Sequence, residues 1–317
     1  MRRGDCRAVE EVSFDIEKGD SVGLVGESGC GKSTVAFALL RMLPFPGQIV
    51  KGSIYFNGED VAEYHEEEMR EFRWKKMSMI FQGAMNALNP IIKIKDQITE
   101  AIMLHDPNAT KKEALARARE LFKMVGLDPG RVEHYPFEFS GGMKQRSMIV
   151  MALACNPEFV IADEPTTALD VTVQAQIMEL LQLLTKELNI TLLLITHDLS
   201  VVAETCKKVI IMYAGKIVES GTVIEIFTNP LHPYSQGLIA SIPSIEKSHN
   251  QTLASIPGQP PNLLKPPLGC RFHPRCEYTQ EICRTDDPPI EELKSGHRVA
   301  CHLASGRIQS ESYSRKV

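Results

Sequence analysis

The sequence predicts an α/β fold built on a parallel sheet, because short apolar runs alternate with stretches of helical periodicity over residues 1–230. Three of the apolar runs contain almost no polar residue, which is typical of parallel strands that are buried on both faces. After residue 231 the chain becomes rich in proline, and this composition predicts a compact tail with few helices or strands. We therefore expect an α/β domain over 1–230 and a Pro/Cys-rich C-terminal extension over 231–317.

The predicted elements are read from two periodicities, apolar β-rich runs and helical spacing. The predicted strands are 21–26, 53–58, 77–82, 159–163, 191–196 and 208–215, and the predicted helices are 32–42, 110–125, 142–155 and 171–188.

Composition narrows the class of protein. With 43% hydrophobic and 24% charged residues, the chain has the composition of an ordinary globular protein. Its 35 basic and 40 acidic residues give a net charge of -5, which argues against nucleic acid as a partner. No apolar run approaches the ~18–20 residues that span a bilayer, and the first residues, MRRGDCRAVEEV, contain no apolar signal-peptide segment. We expect a location in the cytosol or on the cytosolic side of a membrane.

Residues 26–33 read GESGCGKS, the pattern GxxxxGK[ST], between a predicted strand and a predicted helix. The glycines let backbone N–H groups turn towards an anion, and the following helix adds the positive end of its dipole. Lys32 is expected to reach the β- and γ-phosphates of ATP, and Ser33 is expected to ligate Mg²⁺. The predicted ATP-binding residues are Gly26, Glu27, Ser28, Gly29, Cys30, Gly31, Lys32, Ser33 and Thr34.

A second predicted site element is the run FVIADE at 159–164, an apolar strand that ends in two carboxylates. Asp163 is placed to hold Mg²⁺, and Glu164 is placed to deprotonate a water for attack on the γ-phosphorus. Without a phosphate loop in the same chain, two solvated acids would be the better interpretation.

The turn Ser140-Gly141-Gly142 begins the predicted helix 142–155 and is a second candidate anion site. One nucleotide does not need two such sites from one chain, so the pair predicts two chains arranged head to tail around each ATP.

Gln82 follows the strand MSMIF and is expected to reach the metal and the attacking water. His197 follows the strand 191–195 and is expected to contact the γ-phosphate.

In this order and spacing the motifs resemble the nucleotide-binding subunits of ABC transporters. The resemblance implies an ABC-type P-loop ATPase with a RecA-like parallel sheet, an antiparallel β subdomain and a helical signature subdomain at about 83–157. It implies that Ser140 and Gly142 contact the partner's ATP in trans and that Asp170 lies at the dimer interface. The residues that it assigns to catalysis are Glu164, His197 and Gln82, and those that it assigns to Mg²⁺ are Ser33, Gln82 and Asp163.

Within that family the segments SMIFQGAMNALNP, IADEPTTALDVTVQAQIMELL and SIPGQPPNLLKPPLGCRFHPRC are similar to the ATPases of oligopeptide and dipeptide importers. The resemblance implies a peripheral protein at the cytoplasmic face of the cell membrane. Its partners would be a homologous ATPase subunit, two permease subunits and an extracytoplasmic peptide-binding protein. A homodimer is also possible in isolation, and a nickel importer ATPase or a soluble ABC ATPase acting on DNA or the ribosome remains an alternative. The aromatic that stacks on adenine in this family is missing, because the chain starts inside that region.

Four of the eight cysteines, Cys270, Cys276, Cys283 and Cys301, fall in the extension. In a reducing compartment such a cluster favours a metal centre over disulfides. Zinc sites prefer closer pairs, so the wide and uneven spacing favours a polynuclear centre with four thiolates. The resemblance implies a [4Fe–4S] cluster, which some dipeptide-importer ATPases carry, while zinc or no metal remain alternatives.

Overall fold

The computed structural model describes residues 6–83, 87–242 and 255–309. The chain divides into two compact units, each formed by more than one segment. Within the described residues, the first unit consists of 6–16, 21–35, 195–242 and 255–309, and the second consists of 17–20, 36–83 and 87–194. Parts of the predicted helical subdomain and of the predicted extension, and the start at 1–5, lie outside the described residues.

The regular elements of the described residues are numbered in chain order. The strands are β1 (Ser21–Val25), β2 (Tyr55–Phe56), β3 (Glu59–Asp60), β4 (Met77–Ile80), β5 (Phe159–Asp163), β6 (Thr191–Thr196), β7 (Lys208–Tyr213), β8 (Lys216–Thr222), β9 (Glu291–Lys294) and β10 (His297–Val299). The helices are α1 (Lys32–Leu39), α2 (Glu66–Lys75), α3 (Ile94–His105), α4 (Lys111–Met124), α5 (Gly141–Leu153), α6 (Val171–Glu187), α7 (Leu199–Thr205), α8 (Val223–Thr228), α9 (Pro233–Ala240) and α10 (Glu281–Thr285).

In the first unit the strands lie in the order β1-β7-β8-β10-β9. β1 and β7 run parallel, with Val22 opposite Lys208, and the remaining neighbours are antiparallel. β9 and β10 both come from the C-terminal extension and have only four and three residues, so the described part of the tail has few strands, as expected. The sequence between Glu291 and Val299 contains no proline, and every main-chain donor is available for pairing.

In the second unit the strands lie in the order β4-β5-β6, and β4 pairs with β5 in parallel. All residues of these three strands are buried, which confirms the prediction from their apolar sequences. β6 crosses the boundary between the units, since its last two residues belong to the first unit. The predicted strand 53–58 is confirmed only over Tyr55–Phe56, the short β2, which pairs antiparallel with β3.

A buried carboxylate on β8 fastens the extension within the first unit. Glu219 is completely buried, and its oxygens accept the main-chain N–H groups of Leu231 and His232 at 2.7 and 2.9 Å. Its Oε1 also lies 2.7 Å from Nε2 of His297, on the neighbouring strand β10. Buried carboxylates need several such donors, and here all three of these partners lie in 231–317.

Candidate functional site

In the first unit, the predicted phosphate loop connects β1 to α1 in a conformation that requires glycine at two positions. Gly26 has φ +154°, and a Cβ there would lie 2.2 Å from the carbonyl oxygen of Met212. Gly31 has φ +106°, and a Cβ there would lie 2.6 Å from the carbonyl oxygen of Ala8. A side chain at either position would displace main-chain atoms, so the loop depends on both glycines.

The ammonium group of Lys32 lies inside this loop. Its Nζ donates to the carbonyl oxygens of Gly26 and Glu27 at 2.7 and 3.2 Å, and the residue is 5% exposed. The Cys30 sulfur is 3.9 Å from Nζ. Burial raises the pKa of the Cys30 thiol although Lys32 opposes the shift, so the thiol stays protonated and is not a reactive nucleophile.

The other predicted loop residues divide into two groups. Ser28 and Gly29 are exposed, and Ser33 and Thr34 are half-buried in the first turn of α1. Glu27 instead faces the protein, since Arg275 binds its carboxylate and Tyr234 accepts its main-chain N–H.

In the second unit, β5 carries two of the predicted acids at its carboxyl end. Asp163 is 2% exposed, and Glu164 follows it with φ +44°. Glu164 Oε2 accepts hydrogen bonds from Nε2 of Gln82 at 2.9 Å and from Oγ1 of Thr167 at 3.0 Å. The structure therefore brings together the predicted base and the predicted glutamine, which are 82 residues apart in sequence.

The Ser-Gly-Gly turn lies beside the start of α6 in the same unit. Ser140 is exposed and caps α5, with Oγ accepting the N–H of Met143 at 3.4 Å. Asp170 is exposed and caps α6, with Oδ1 accepting the N–H of Val173 at 2.9 Å. A Cβ on Gly142 would lie 2.9 Å from the Val173 side chain. The predicted trans-contact and interface residues thus lie on two helices in contact, at exposed helix starts that carry a positive dipole end.

His197, which belongs to the first unit, is exposed between β6 and α7. The next residue, Asp198, caps α7 by accepting the N–H of Ser200 at 2.8 Å. The cap fixes the backbone directly after the predicted switch histidine.

The four cysteines of the extension line one small cavity in the first unit. Burial raises the pKa values of Cys270 and Cys276 to about 12, and the neighbouring thiols Cys283 and Cys301 contribute to the shift. Eight cysteines are free thiols. No group of three or more His, Cys, Asp or Glu side chains in the part of the chain that the structure describes is arranged to hold a metal ion. The four predicted cluster ligands therefore line one cavity but form no preformed ion site among the described residues, and the metal cluster stays a prediction.

The family model described as ABC transporter matches residues 9–167. The oligopeptide transport ATP-binding protein OppD of Escherichia coli K12 is 47% identical over 300 residues, which cover 94% of this chain and 88% of that protein. The chain belongs to the ABC transporter family.

Further comparisons agree with this membership in the ABC transporter family. A model described as oligopeptide/dipeptide transporter, C-terminal region, matches residues 218–283. The dipeptide transport ATP-binding protein DppD of Escherichia coli K12 is 44% identical over 93% of this chain and 90% of that protein. The post-hydrolysis dimer of the ATP-binding cassette MJ0796, solved with ADP and Pi, has a TM-score of 0.61 at 29% identity and covers 68% of this chain and 90% of its own. Membership identifies this chain as an ATPase.

Two residues at this site escaped the sequence analysis. Arg275 and Tyr234 bind Glu27 from the C-terminal part of the ABC transporter chain, 248 and 207 residues further along. Arg275 lies in RFHPRC, part of a segment that carries the resemblance, but no local pattern joins an arginine or a tyrosine to a loop so distant in sequence.

Among the described residues, no helix combines the length and the apolar character that crossing a membrane requires.

Proposed function

We propose that this chain is the ATP-hydrolysing subunit of an importer for di- and oligopeptides, which energises transport through membrane permeases. The phosphate loop carries the proposal, because its glycines and the inward Lys32 form a site for a polyphosphate anion in an ABC transporter ATPase. The peptide substrate is inferred from relatives named for oligopeptide and dipeptide transport.

In the first unit, we assign 26–34 to ATP. Lys32 would exchange its bonds to the loop carbonyls for the β- and γ-phosphate oxygens, which are stronger, charged acceptors. His197, exposed after β6, is assigned to the γ-phosphate.

In the second unit, Glu164 is assigned as the base that takes a proton from the attacking water, and Gln82 as the residue that orients it. Their 2.9 Å hydrogen bond holds the carboxylate in one place before the water arrives. A base fixed in this way needs less rearrangement in the transition state.

Magnesium fits the donors that the chain offers. In the second unit, Asp163 has a carboxylate, and Gln82 has an amide oxygen that is left for a metal because its nitrogen donates to Glu164. In the first unit, Ser33 has a hydroxyl. Mg²⁺ prefers such oxygen ligands. When bound, Mg²⁺ neutralises charge on the β- and γ-phosphates.

We assign Ser140 and Gly142 to the ATP held by a second ATPase subunit, and Asp170 to the interface with it. The exposure of Ser140 and Asp170 at neighbouring helix starts supports this assignment. The second subunit is proposed to be a homologous ATPase in the transporter. Two permease subunits and an extracytoplasmic peptide-binding protein complete the assembly, so that this chain lies peripherally at the cytoplasmic membrane face.

The thiol cavity also fits a [4Fe–4S] cluster in its donor chemistry. Four cysteines and no carboxylate line it, and four thiolates are the ligand set of such clusters. The pKa values of Cys270 and Cys276 are raised because burial and the neighbouring cysteines destabilise each thiolate. Positively charged iron would offset this effect by stabilising the thiolates. The cluster would supply structural cross-linking of the extension.

Reconstitution with the two permeases and the binding protein in vesicles tests the function. We expect dipeptide-dependent ATP hydrolysis and uptake of a labelled dipeptide, with both lost in Lys32→Ala. Uptake of nickel without peptide uptake would overturn the substrate class. For the cluster, anaerobic purification should yield iron and acid-labile sulfide in equal amounts, and a preparation that contains zinc or no metal would refute it.

A further inference from the structure

The C-terminal extension reaches the phosphate loop through Arg275, inside the first unit. Nη1 of Arg275 donates to Glu27 Oε2 at 2.6 Å, and Nη2 donates to Glu27 Oε1 at 3.0 Å. The pair is bidentate, and the Arg275 side chain is only 5% exposed. Bidentate arginine–carboxylate pairs fix direction as well as distance, so this contact fixes where Glu27 lies.

Every donor of the Arg275 guanidinium is used. A guanidinium has five N–H donors, and the three not bound to Glu27 bind Pro257 O at 2.7 Å, Ile256 O at 3.3 Å and Tyr213 Oη at 3.3 Å. The guanidinium also lies 5.7 Å from the centre of the Tyr213 ring. A surface ion pair would leave most of these donors in water, whereas this arginine is held on all sides.

Tyr234 holds the same loop residue from a second direction. Its Oη accepts the Glu27 main-chain N–H at 2.9 Å, and the residue is completely buried. The ring packs at 4.7 Å from that of Tyr213 and at 5.4 Å from that of Phe272, measured between centroids. Because the rings fix the phenol, the hydroxyl cannot follow the loop if the loop moves.

These contacts also restrain the Glu27 carbonyl oxygen to which Lys32 donates. The Glu27 carbonyl oxygen accepts from Lys32 Nζ at 3.2 Å and from the Cys30 N–H at 3.2 Å. Fixing the N–H and the carboxylate of Glu27 therefore fixes the carbonyl that orients Lys32 before ATP binds. Binding then requires less ordering of the loop, which lowers the cost of association.

We propose that Arg275 and Tyr234 are positioning residues for the phosphate loop, so that the C-terminal extension sets the affinity of this chain for ATP. The proposal rests on the proposed function of 26–34. Neither residue touches the nucleotide; both act through Glu27.

The test is the dissociation constant of a fluorescent ATP analogue with Mg²⁺, measured on the full chain. Arg275→Met and Tyr234→Phe should each raise the constant, the former by about tenfold, as expected for a lost charge-assisted hydrogen bond. Arg275→Lys should recover part of the loss, because lysine replaces the charge but not the bidentate geometry. Arg284→Ala is the matched control, since Arg284 lies in the same extension with a half-exposed side chain and only a 3.9 Å contact to Glu281.

A double-mutant cycle separates positioning from folding. If Arg275 acts through Glu27, Arg275→Met should raise the dissociation constant little further in a Glu27→Gln background. Full additivity would overturn the proposal. If Arg275→Met does not fold, unchanged affinity in both Glu27→Gln and Tyr234→Phe would overturn it. Loss of ATP binding in Lys32→Ala checks the underlying site, and a wild-type chain that binds no ATP would refute the proposed function together with this inference.

Discussion

His232 should make the stability of the chain depend on pH in a range where few other groups act. The residue is 1% exposed, and its Nδ1 accepts the N–H of Tyr234 at 3.0 Å, which caps α9. Burial lowers the pKa of His232 to about 4, and Glu219 opposes the shift. Protonation of His232 would also place an Nδ1–H group against the Tyr234 N–H, so that two donors would face each other. The fold therefore requires the neutral imidazole.

The sign and size of the effect follow from linkage. Since the folded pKa lies below the unfolded value of 6.5, the unfolded chain binds the proton first and stability falls as the pH falls below about 6.5. For a folded pKa of about 4, the loss between about pH 7.5 and about pH 4.5 is about 2.5 kcal/mol.

Urea unfolding over this pH range measures the effect. Carboxylates also titrate near its acidic end, so the quantity to compare is the difference between the wild type and His232→Asn, which keeps a good capping side chain and cannot titrate. We expect this difference to shift by about 2.5 kcal/mol in favour of the variant on acidification. Parallel curves for the two proteins would refute the argument that His232 is neutral because it is buried.

Three further predictions concern the site and the thiols. Glu164→Gln should slow ATP hydrolysis by about 10²–10⁴-fold while ATP still binds, and undiminished turnover would exclude Glu164 as the base. Gly31→Ala should abolish ATP binding because its Cβ would lie 2.6 Å from a main-chain oxygen, whereas Gly29→Ala should retain more binding because Gly29 also has a positive φ, +81°, but its Cβ would have no such neighbour within 4 Å; equal losses in both would contradict the steric argument. In metal-free protein, iodoacetamide at about pH 8 should label exposed Cys6 quickly and Cys276 slowly, because the pKa of Cys276 is raised to about 12; comparable labelling rates, measured by mass spectrometry, would contradict that shift.

The parts of the site that the sequence predicts well are local. The phosphate loop needs only eight consecutive residues between a strand and a helix, and two of its glycines, Gly26 and Gly31, lie where the backbone leaves no room for a Cβ. The buried runs that became β4, β5 and β6 were likewise identified from their own residues. In each case the determining physics, a positive φ or burial on both faces, acts within one segment.

The parts that the sequence did not predict are non-local or short. The pairing of Arg275 with Glu27 joins residues 248 positions apart, and nothing in either segment alone specifies it. β9 and β10 have four and three residues, too few for a periodicity to stand out beside a proline-rich stretch.

The buried Glu219 has a consequence for anyone who shortens the chain to residues 1–230. Removing β10 would leave β8 paired only with β7, so that unpaired main-chain groups along its other side would be exposed at a sheet edge, which favours association with other strands. The truncation would also delete His297 and the main-chain N–H groups of 231 and 232. The buried Glu219 carboxylate would then lose these hydrogen-bond partners. If a truncated protein loses activity, the loss would therefore reflect disruption of its fold. Single substitutions such as Tyr234→Phe are the safer way to measure what the C-terminal extension contributes.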